Sequence, residues 1–244
     1  MYPEICKIGS FTIYSYGLML VLGFFLCVYL SLFQAKKEQF DPDQIFNLLF
    51  YIFISGIIGS RLFYVIYNAS FYLRNPLEIV MLQRGGMAWF GGLTLGSITA
   101  VIFIRKNKLN LLKTLDLIVP FIVLGQALGR IGCFLNGCCF GRHSDFGIFF
   151  PVHEDILIPT QLYSSLLLLL IFVVLRFLQD KKHLPGQILA SYLFLYSIKR
   201  FFIEFFRADS PKAYLGLTIF QLLCLAVFVS SLVIFAKIFH NQKK

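Results

Sequence analysis

Long apolar runs constrain the fold of this 244-residue chain more than any other feature of its sequence. Six runs approach the roughly 20 residues that a helix needs to cross the hydrocarbon core of a bilayer. They lie at about 14–34, 45–67, 86–104, 161–178, 186–206 and 214–238, and a shorter seventh run lies at about 113–130 and contains Asp116. This pattern predicts an all-α membrane protein.

The composition leads to the same class of protein. Hydrophobic residues make up 58% of the chain and charged residues 14%, whereas a soluble domain carries roughly 25% charged residues. The net charge of +10 raises the question of nucleic-acid binding. Lysine and arginine, however, sit in short clusters between the apolar runs and form no basic face. We therefore expect membrane lipids around the chain and no nucleic acid as a partner.

The chain shows no internal repeat, no low-complexity tract and no soluble domain. It is therefore predicted to form a single polytopic membrane domain over 1–244, with a longer outer loop at about 131–160. The first ten residues lack a basic region, and no cleavage motif of small residues follows the first apolar run. The first helix is expected to remain in the protein.

The positions of the basic residues predict the orientation in the membrane, because positively charged loops are retained in the cytoplasm. With the N-terminus outside, every cytoplasmic segment carries a basic cluster. The clusters are Lys36 and Lys37; Arg105, Lys106, Lys108 and Lys113; Lys181 and Lys182; and Lys237, Lys243 and Lys244. Without the short run at 113–130 the later clusters would lie outside. The prediction is about seven transmembrane helices, with the N-terminus outside and the C-terminus cytoplasmic.

Unusual polar and glycine-rich positions fall near the outer ends of the helices in this topology. They are Tyr16 and Gly17, Arg61, residues 84–92, Gly129 and Arg130, residues 159–163, and Arg200, Glu204 and Arg207. The topology was derived from other residues, so the agreement in depth is informative. It predicts a functional site at the outer face.

Arg200, Glu204 and Arg207 have the spacing of one helix face. Charged groups inside a membrane are costly and usually face a bundle interior or a polar cavity. An arginine that snorkels to the headgroups and a structural Arg–Glu pair are the alternatives. Together with Arg61 and Arg130, however, the set favours an anion site, because planar guanidinium donors match phosphate oxygens.

Glycine pairs at 85–86 and 91–92 flank Trp89 and Phe90. Glycine lets the backbone approach a ligand closely, but small residues also serve close packing of membrane helices. Both interpretations remain open for the glycines alone.

The segment 129–141 contains Cys133, Cys138 and Cys139 in a pattern read as a glycine-spaced turn. A metal site, a redox site, a disulfide such as Cys133–Cys138 and buried neutral thiols are the alternatives. No histidine or second cysteine pair stands at a zinc-like spacing, so no metal is expected. His143 and His153 belong to no recognisable triad and are interpreted as loop residues.

In this order, and over essentially the whole chain, the motifs resemble the prolipoprotein diacylglyceryl transferase family. The set comprises 16–19, 59–62, 84–92, Asp116 with Pro120, 129–141, 159–163, 200–207 with Asp209, and Gln221. Each motif is weak alone, whereas the ordered set is specific.

The resemblance implies a seven-helix enzyme of the bacterial inner membrane, multi-pass, with its active site toward the outer face. Such an enzyme moves the diacylglyceryl group of phosphatidylglycerol to the lipobox cysteine in the signal peptide of a prolipoprotein. The products are a thioether-linked lipid and glycerol phosphate. The resemblance implies no metal and no organic cofactor.

The resemblance also implies roles for individual residues. Arg130 and Arg200 are expected to be catalytic and to clamp the headgroup phosphate. The residues expected to bind or position substrate are Tyr16, Arg61, Gly86, Gly91, Asn136, Gly141, Gln161, Tyr163, Glu204 and Arg207.

The chain departs from the family pattern at several positions. Phe90 stands where many members have histidine, and it is expected to pack beside the lipid. Cys133 and Cys138 replace asparagine and glutamate, and Ile158 and Ser164 replace a histidine and an acid. Two other classes are therefore kept: a related transferase with another lipid or acceptor, and a non-enzymatic lipid-binding or transport protein. A redox protein that uses the three cysteines is a more distant alternative.

Overall fold

The computed structural model describes residues 1–8, 11–81, 85–208, 212–214 and 216–242. Four residues named above, Arg84, Asp209, Lys243 and Lys244, lie outside the described residues.

Helices dominate the described part of the chain. The long ones are α1 (Ser15–Lys37), α2 (Pro42–Tyr67), α4 (Trp89–Lys106), α5 (Leu111–Asn136), α6 (Thr160–Gln179), α7 (Gln187–Glu204) and α8 (Ile219–Gln242), and α3 (Ala69–Arg74) and a 3₁₀ helix (Pro76–Val80) are short. Each apolar run predicted from the sequence coincides with one of the long helices.

Among the described residues, five helices are long and apolar enough to cross a membrane: α1, α2, α5, α6 and α8. The chain is therefore a multi-pass helical membrane protein. The run at 113–130, the shortest from the sequence, lies within one of the five, α5. The 18-residue α7 carries Lys199, Arg200 and Glu204, which lower its mean hydropathy.

Three antiparallel hairpins accompany the helices in the described segments. They pair β1 (Glu4–Ile8) with β2 (Phe11–Tyr14), β3 (His143–Phe150) with β4 (Asp155–Leu157), and β5 (Lys212–Tyr214) with β6 (Leu217–Thr218). The apolar runs predicted helices alone, because strands of two to eight residues are too short to show a clear alternating pattern against an apolar background.

The long outer loop begins later than predicted. Helix α5 continues past Arg130 to Asn136, so the loop starts at residue 137 and not at about 131. The glycines of this segment had been read as turn residues. Gly132 is instead a packing residue, since an added Cβ would lie 3.0 Å from the Cβ of Met19 on α1. Gly125 and Gly23 approach each other in the same way, as small residues do between membrane helices.

The described chain forms two compact units. The first comprises Met1–Ser31 and Leu115–Lys244, and the second Leu32–Thr114. The core of the first unit is made by α5, α6 and α7, with Val123, Leu175 and Ile188 fully buried. The prediction of a single domain over 1–244 stays a prediction.

Asp116, the acid that weakened the run at 113–130, has a structural role in the first unit. Its side chain lies buried on α5 and accepts hydrogen bonds from the backbone N–H groups of Gly186 and Leu189 at the start of α7. Gln179 of α6 donates to the backbone carbonyls of Asp116 and Leu117. A carboxylate from one helix thus caps another helix, whose first N–H groups have no partner of their own.

In the second unit, α2 and α4 cross at a glycine contact. A Cβ added to Gly59 would collide with the carbonyl oxygen of Gly91, and a Cβ added to Gly91 would collide with that of Gly59. Gly92 approaches Gly56 across the same crossing. The contact supports the packing interpretation for the glycine pair at 91–92.

Candidate functional site

Arg130 lies in the penultimate turn of α5 in the first unit and is half-buried. Its guanidinium donates no hydrogen bond and forms no ion pair with any residue that the structure describes. Its charge acts on Tyr16 at the start of α1 and on the thiols of Cys133 and Cys139. The planar donor fork of this arginine is available to a ligand.

Arg200 lies in the last turn of α7 with an ordered set of partners. Its Nη2 is 2.9 Å from Oε2 of Glu204, and its guanidinium lies over the ring of Phe220 at 4.9 Å from the centroid. The Glu204 side chain is fully buried, and its Oε1 accepts a hydrogen bond of 3.1 Å from the Thr218 hydroxyl. The buried carboxylate orients Arg200 and is itself held by two partners.

Arg207 does not share a helix face with Arg200, as its spacing had suggested. Helix α7 ends at Glu204, and the chain turns so that the backbone N–H of Arg207 donates to the Glu204 carbonyl at 3.3 Å. The turn nevertheless brings Nε of Arg207 to 3.9 Å from Oε2 of Glu204. The predicted association of the three residues is therefore found, although a tight turn produces it.

The end of α7 is joined to the segment after α5 by backbone pairing. Gly141 and Arg207 form an antiparallel bridge, and the N–H of Arg142 donates to the carbonyl of Phe206 at 2.9 Å. This pairing explains why residues far apart in sequence contribute to one site.

Lys199 is a buried residue of this site that the sequence analysis missed. Its Nζ lies 5.1 Å from the ring centroid of Tyr196, and the charges of Arg130, Arg200 and Arg207 all act on it. A lysine inside the apolar run at 186–206 was the signal that could have identified it, because charged residues in membrane helices usually have a function.

Basic side chains gather in this part of the first unit. Among the described residues, the charges of Arg130, Arg200 and Arg207 all act on Lys199, and the carboxylate of Glu204 pairs with Arg200 and Arg207. Burying like charges together is unfavourable unless an opposite charge joins them. The arrangement favours an anionic ligand.

The turn that follows α5 is held by three side chains at three consecutive carbonyl groups. His153 contacts the Gly137 carbonyl at 2.8 Å, Gln161 donates to the Cys138 carbonyl at 2.6 Å, and Thr160 donates to the Cys139 carbonyl at 2.7 Å. Gln161 is buried, and its Oε1 has no hydrogen-bond partner in the described part of the chain. The structure thus gives Gln161 a positioning role beside the thiols.

Gly141 occupies a place that only glycine fits. An added Cβ would lie 2.7 Å from the Cβ of Ile158 and 2.7 Å from the carbonyl oxygen of Phe206. The N–H of Gly141 donates to the Ile158 carbonyl at 2.9 Å. Gly141 therefore maintains the packing of the outer loop against the end of α7.

The other residues expected at the site lie close to these elements. Asn136, the last residue of α5, lies near the thiol of Cys138. Tyr16 lies in the first turn of α1 and packs on Gly132. Tyr163 lies in the first turn of α6 with its side chain exposed.

His143, in the outer loop, pairs with Asp155 on the neighbouring strand. Its Nδ1 lies 2.7 Å from Oδ1 of Asp155, and both side chains are exposed. The hydrogen bond with His143 lowers the pKa of the Asp155 carboxyl group. His143 thus lies in strand β3 and not in a loop, as had been expected, whereas His153 lies in the turn between β3 and β4.

Arg61 belongs to the second unit and has a different role from Arg130. All five of its N–H groups are directed at backbone carbonyls: Nε at Ile79, Nη1 at Gly85 and Gly86, and Nη2 at Glu78 and Met81. The side chain is buried and lies against the ring of Tyr72. Arg61 therefore holds residues 78–81 and 85–86 and has no donor left for a phosphate.

Gly86 and Phe90 lie in or next to this held segment. Gly86 has a φ of +78°, and a Cβ there would lie 2.9 Å from Nη1 of Arg61. Phe90 lies in the first turn of α4, partly exposed, with its ring 5.1 Å from that of Trp89. Gly86 gives the backbone its shape, and Phe90 is an apolar surface residue.

The fold and the site together define a class: a multi-pass helical membrane protein in which basic side chains gather beside three cysteines. A family model described as prolipoprotein diacylglyceryl transferase matches residues 3–237. The chain belongs to the prolipoprotein diacylglyceryl transferase family.

Curated relatives agree with the family match. They include proteins named phosphatidylglycerol–prolipoprotein diacylglyceryl transferase from three bacteria. The Clostridium tetani protein is 34% identical over 86% of each chain. The Streptococcus uberis protein is 33% identical over 95% of this chain and 93% of its own. The Finegoldia magna protein is 34% identical over 90% and 88%.

Proposed function

We propose that this chain transfers the diacylglyceryl group of phosphatidylglycerol to the lipobox cysteine thiol of a prolipoprotein. The products are a thioether and glycerol phosphate. Membership of the family and the names of its relatives support the substrates and the reaction. The observation that carries the proposal for this chain is the gathering of four basic side chains, Arg130, Lys199, Arg200 and Arg207, whose charges act on one another.

The phosphodiester of the lipid headgroup is the anion that this group binds. Arg130 offers a guanidinium that has no hydrogen-bond or ion-pair partner among the described residues, and Arg200 offers the donors that Glu204 leaves unused. Arginine suits this task because its planar donors bind two phosphate oxygens at once. Lys199 and Arg207 add positive charge around the same ligand.

The reaction places new charge on that phosphate. The acceptor thiolate attacks the glycerol carbon, the carbon–oxygen bond breaks, and its electron pair leaves with the phosphate. The phosphodiester carries one negative charge, and the departing glycerol phosphate approaches two. Arg130 and Arg200, already oriented, stabilise the charge that develops in the transition state.

Arg61 contributes indirectly in this mechanism. Because all its donors bind carbonyls of residues 78–81 and 85–86, it holds these residues of the second unit in place. Arg61 was expected to bind the phosphate, and in our proposal Lys199 contributes to phosphate binding in its place.

We further propose seven spans, with the N-terminus outside and the C-terminus in the cytoplasm of a bacterial inner membrane. Basic residues in the last turns of α1 and α4 support this orientation. In the same orientation, Tyr16, Arg130 and Arg200 lie at outer helix ends, so the active site opens toward the outer face.

A transfer assay with two labels tests the reaction. Purified protein is given phosphatidylglycerol, labelled separately in its acyl chains and in its headgroup glycerol, together with a lipobox peptide. The acyl label should enter the peptide as a thioether, and one glycerol phosphate should be released per peptide modified. A peptide with serine in place of the cysteine is the control.

Two other results would contradict the proposal. Binding of phosphatidylglycerol without modification of any acceptor would describe a lipid-binding or transport protein. Transfer to another acceptor, with the lipobox peptide left untouched, would describe a related transferase.

A further inference from the structure

Three thiols meet at the outer end of α5. The Sγ atoms of Cys133, Cys138 and Cys139 lie within 4.8 Å of one another, and all three residues are half-buried. Cys133 comes from the last turn of the helix, and the other two come from the turn that follows it. A peptide that carries a thiol is also the acceptor in the proposed reaction.

The backbone of this turn has the form that such convergence requires. Gly137 has a φ of +73° and Cys139 a φ of +63°. A side chain such as that of cysteine rarely adopts this left-handed conformation, which persists where the surroundings hold it and is common at ligand clamps. Three side chains keep the turn in this conformation by contacting its three successive carbonyls, namely His153, Gln161 and Thr160.

The positive charges of nearby arginines would stabilise a thiolate–metal group that carries a net negative charge. Three thiolates and one divalent cation carry a net charge of −1. Arg130 acts on Cys133 and Cys139, and Arg207 acts on Cys139. A single negative charge among these arginines is favourable, whereas a bare divalent cation there would not be.

We propose that Cys133, Cys138 and Cys139 form a three-thiolate site for Zn²⁺, with its fourth position open to the acceptor thiol. Zinc–sulfur bonds of about 2.3 Å in a tetrahedral site separate the sulfur atoms by about 3.8 Å, which small side-chain adjustments within the cluster provide. Three protein ligands with one open position are the pattern of catalytic zinc sites. The inference rests on the proposed function, since it assigns the acceptor's place in that reaction.

The proposed zinc site would keep the acceptor thiol deprotonated, as the reaction requires. A free thiol is mostly protonated at neutral pH, but the thiolate is the nucleophile. On binding zinc, the acceptor thiol releases its proton to water and stays deprotonated. Its sulfur then attacks the glycerol carbon, and the electron pair of the broken carbon–oxygen bond leaves with the phosphate. The thioether product is neutral and binds zinc weakly, so it departs.

Metal content tests the first half of the inference. Protein purified under reducing conditions without chelator should contain about one zinc per chain by elemental analysis, as one four-coordinate site requires. After chelation, titration with Co²⁺ alone should produce the visible and charge-transfer absorption of a tetrahedral cobalt thiolate. Replacing Cys139 by Ser should weaken cobalt binding more than the roughly 10–100-fold that loss of an outer-shell partner costs. Cys6→Ser, which removes an exposed thiol of β1, is the matched control.

The open position is tested with the lipobox peptide. Adding it to the cobalt form should shift the thiolate absorption, while a peptide with serine for the cysteine should leave the spectrum unchanged. Wild-type protein that binds no cobalt, a Cys133–Cys138 disulfide in protein whose free thiols are alkylated before the cells are lysed, or a spectrum insensitive to the thiol peptide would each overturn the inference. These readouts need no variant to fold.

Measurements of transfer activity distinguish a failure of the zinc site from a failure of the proposed function. Chelation should abolish transfer, and zinc should restore it. Full transfer by metal-free protein would overturn the zinc site and leave the transferase standing. A spectrum that responds to the thiol peptide, in a protein that transfers nothing, would uphold the site and reject the transferase.

Discussion

At the scale of single residues, two arginines that look alike in the sequence have different roles. Arg61 directs all five N–H groups at backbone carbonyls, whereas Arg130 has no hydrogen-bond or ion-pair partner among the described residues. A guanidinium with every donor engaged is structural, and one with every donor free can receive a ligand. This difference depends on where the carbonyls of residues 78–81 and 85–86 lie, and it cannot be seen in the composition of either motif.

Gly141 gives a prediction at this scale. Gly141→Ala should destabilise the first unit by about 1–3 kcal/mol, as overpacking of a tight site does, because the new Cβ would lie 2.7 Å from both Ile158 and Phe206 atoms. Thermal unfolding in detergent measures the loss. Gly129→Ala is the control, since nothing lies within 4 Å of its added Cβ. Equal melting temperatures for the two variants would contradict the packing assigned to Gly141.

Phe90 gives a second prediction, because it stands where many family members have histidine. Its ring is partly exposed and packs on Trp89. Phe90→Leu should therefore retain most of the transfer rate, with a change of no more than a few-fold for a lost aromatic contact. The transfer assay measures it. A loss as deep as that of an arginine variant would show that this position takes part in the chemistry.

At the scale of elements, the helices were predictable and the hairpins were not. Seven apolar runs coincide with seven long helices of the described residues, and five of these helices are long and apolar enough to cross a membrane. The end of α5 was misjudged because Gly129 and Gly132 resemble turn residues, and only contact with α1 shows Gly132 to be a packing residue. Arg207 was assigned to a helix that ends three residues before it.

The site was predictable in part for related reasons. Charged residues in apolar runs identified Arg130, Arg200 and Glu204, and the structure brings Arg200 and Glu204 together. Lys199 carried the same signal and was overlooked. The meeting of the three thiols depends on the left-handed turn after α5, which the sequence spacing did not reveal.

Asp116 provides the prediction at the scale of elements, because it caps α7 from α5. Asp116→Ala removes the acceptor for the Gly186 and Leu189 N–H groups. Loss of a helix cap typically lowers the free energy of unfolding by about 0.5–2 kcal/mol. Because this cap is buried, we expect a loss of about 2 kcal/mol, at the upper end of that range. Unfolding by heat or denaturant measures it. Asp180→Ala, which removes an exposed ion pair with Arg176 worth roughly 0–1 kcal/mol, is the control. Equal losses would contradict the cap.

At the scale of the whole molecule, the orientation decides whether the site can meet an exported acceptor. A reporter that works only after export should be inactive when fused after Lys244 and active when inserted beside Glu154 in the outer loop. The basic segments at the ends of α1 and α4 are the physical reason, because such segments stay in the cytoplasm. An active fusion at Lys244 would reverse the proposed topology.

The whole account depends on two arginines that bind and stabilise a phosphate. Losing one such oxyanion donor costs on the order of a hundredfold in rate, and lysine keeps the charge without the planar fork. Arg200→Lys must be compared at equal amounts of membrane-inserted protein, since it alters the partner of the buried Glu204. Arg130→Lys leaves no described partner unpaired and is the cleaner variant.

The most direct measurement is therefore the rate of diacylglyceryl transfer from phosphatidylglycerol to a lipobox peptide by Arg130→Lys and Arg200→Lys. Arg105→Lys, at the end of α4, is the matched control for the substitution itself. We expect each of the two site variants to lose on the order of a hundredfold in rate, while Arg105→Lys keeps the wild-type rate. Wild-type turnover by both site variants, inserted normally, would contradict the phosphate clamp.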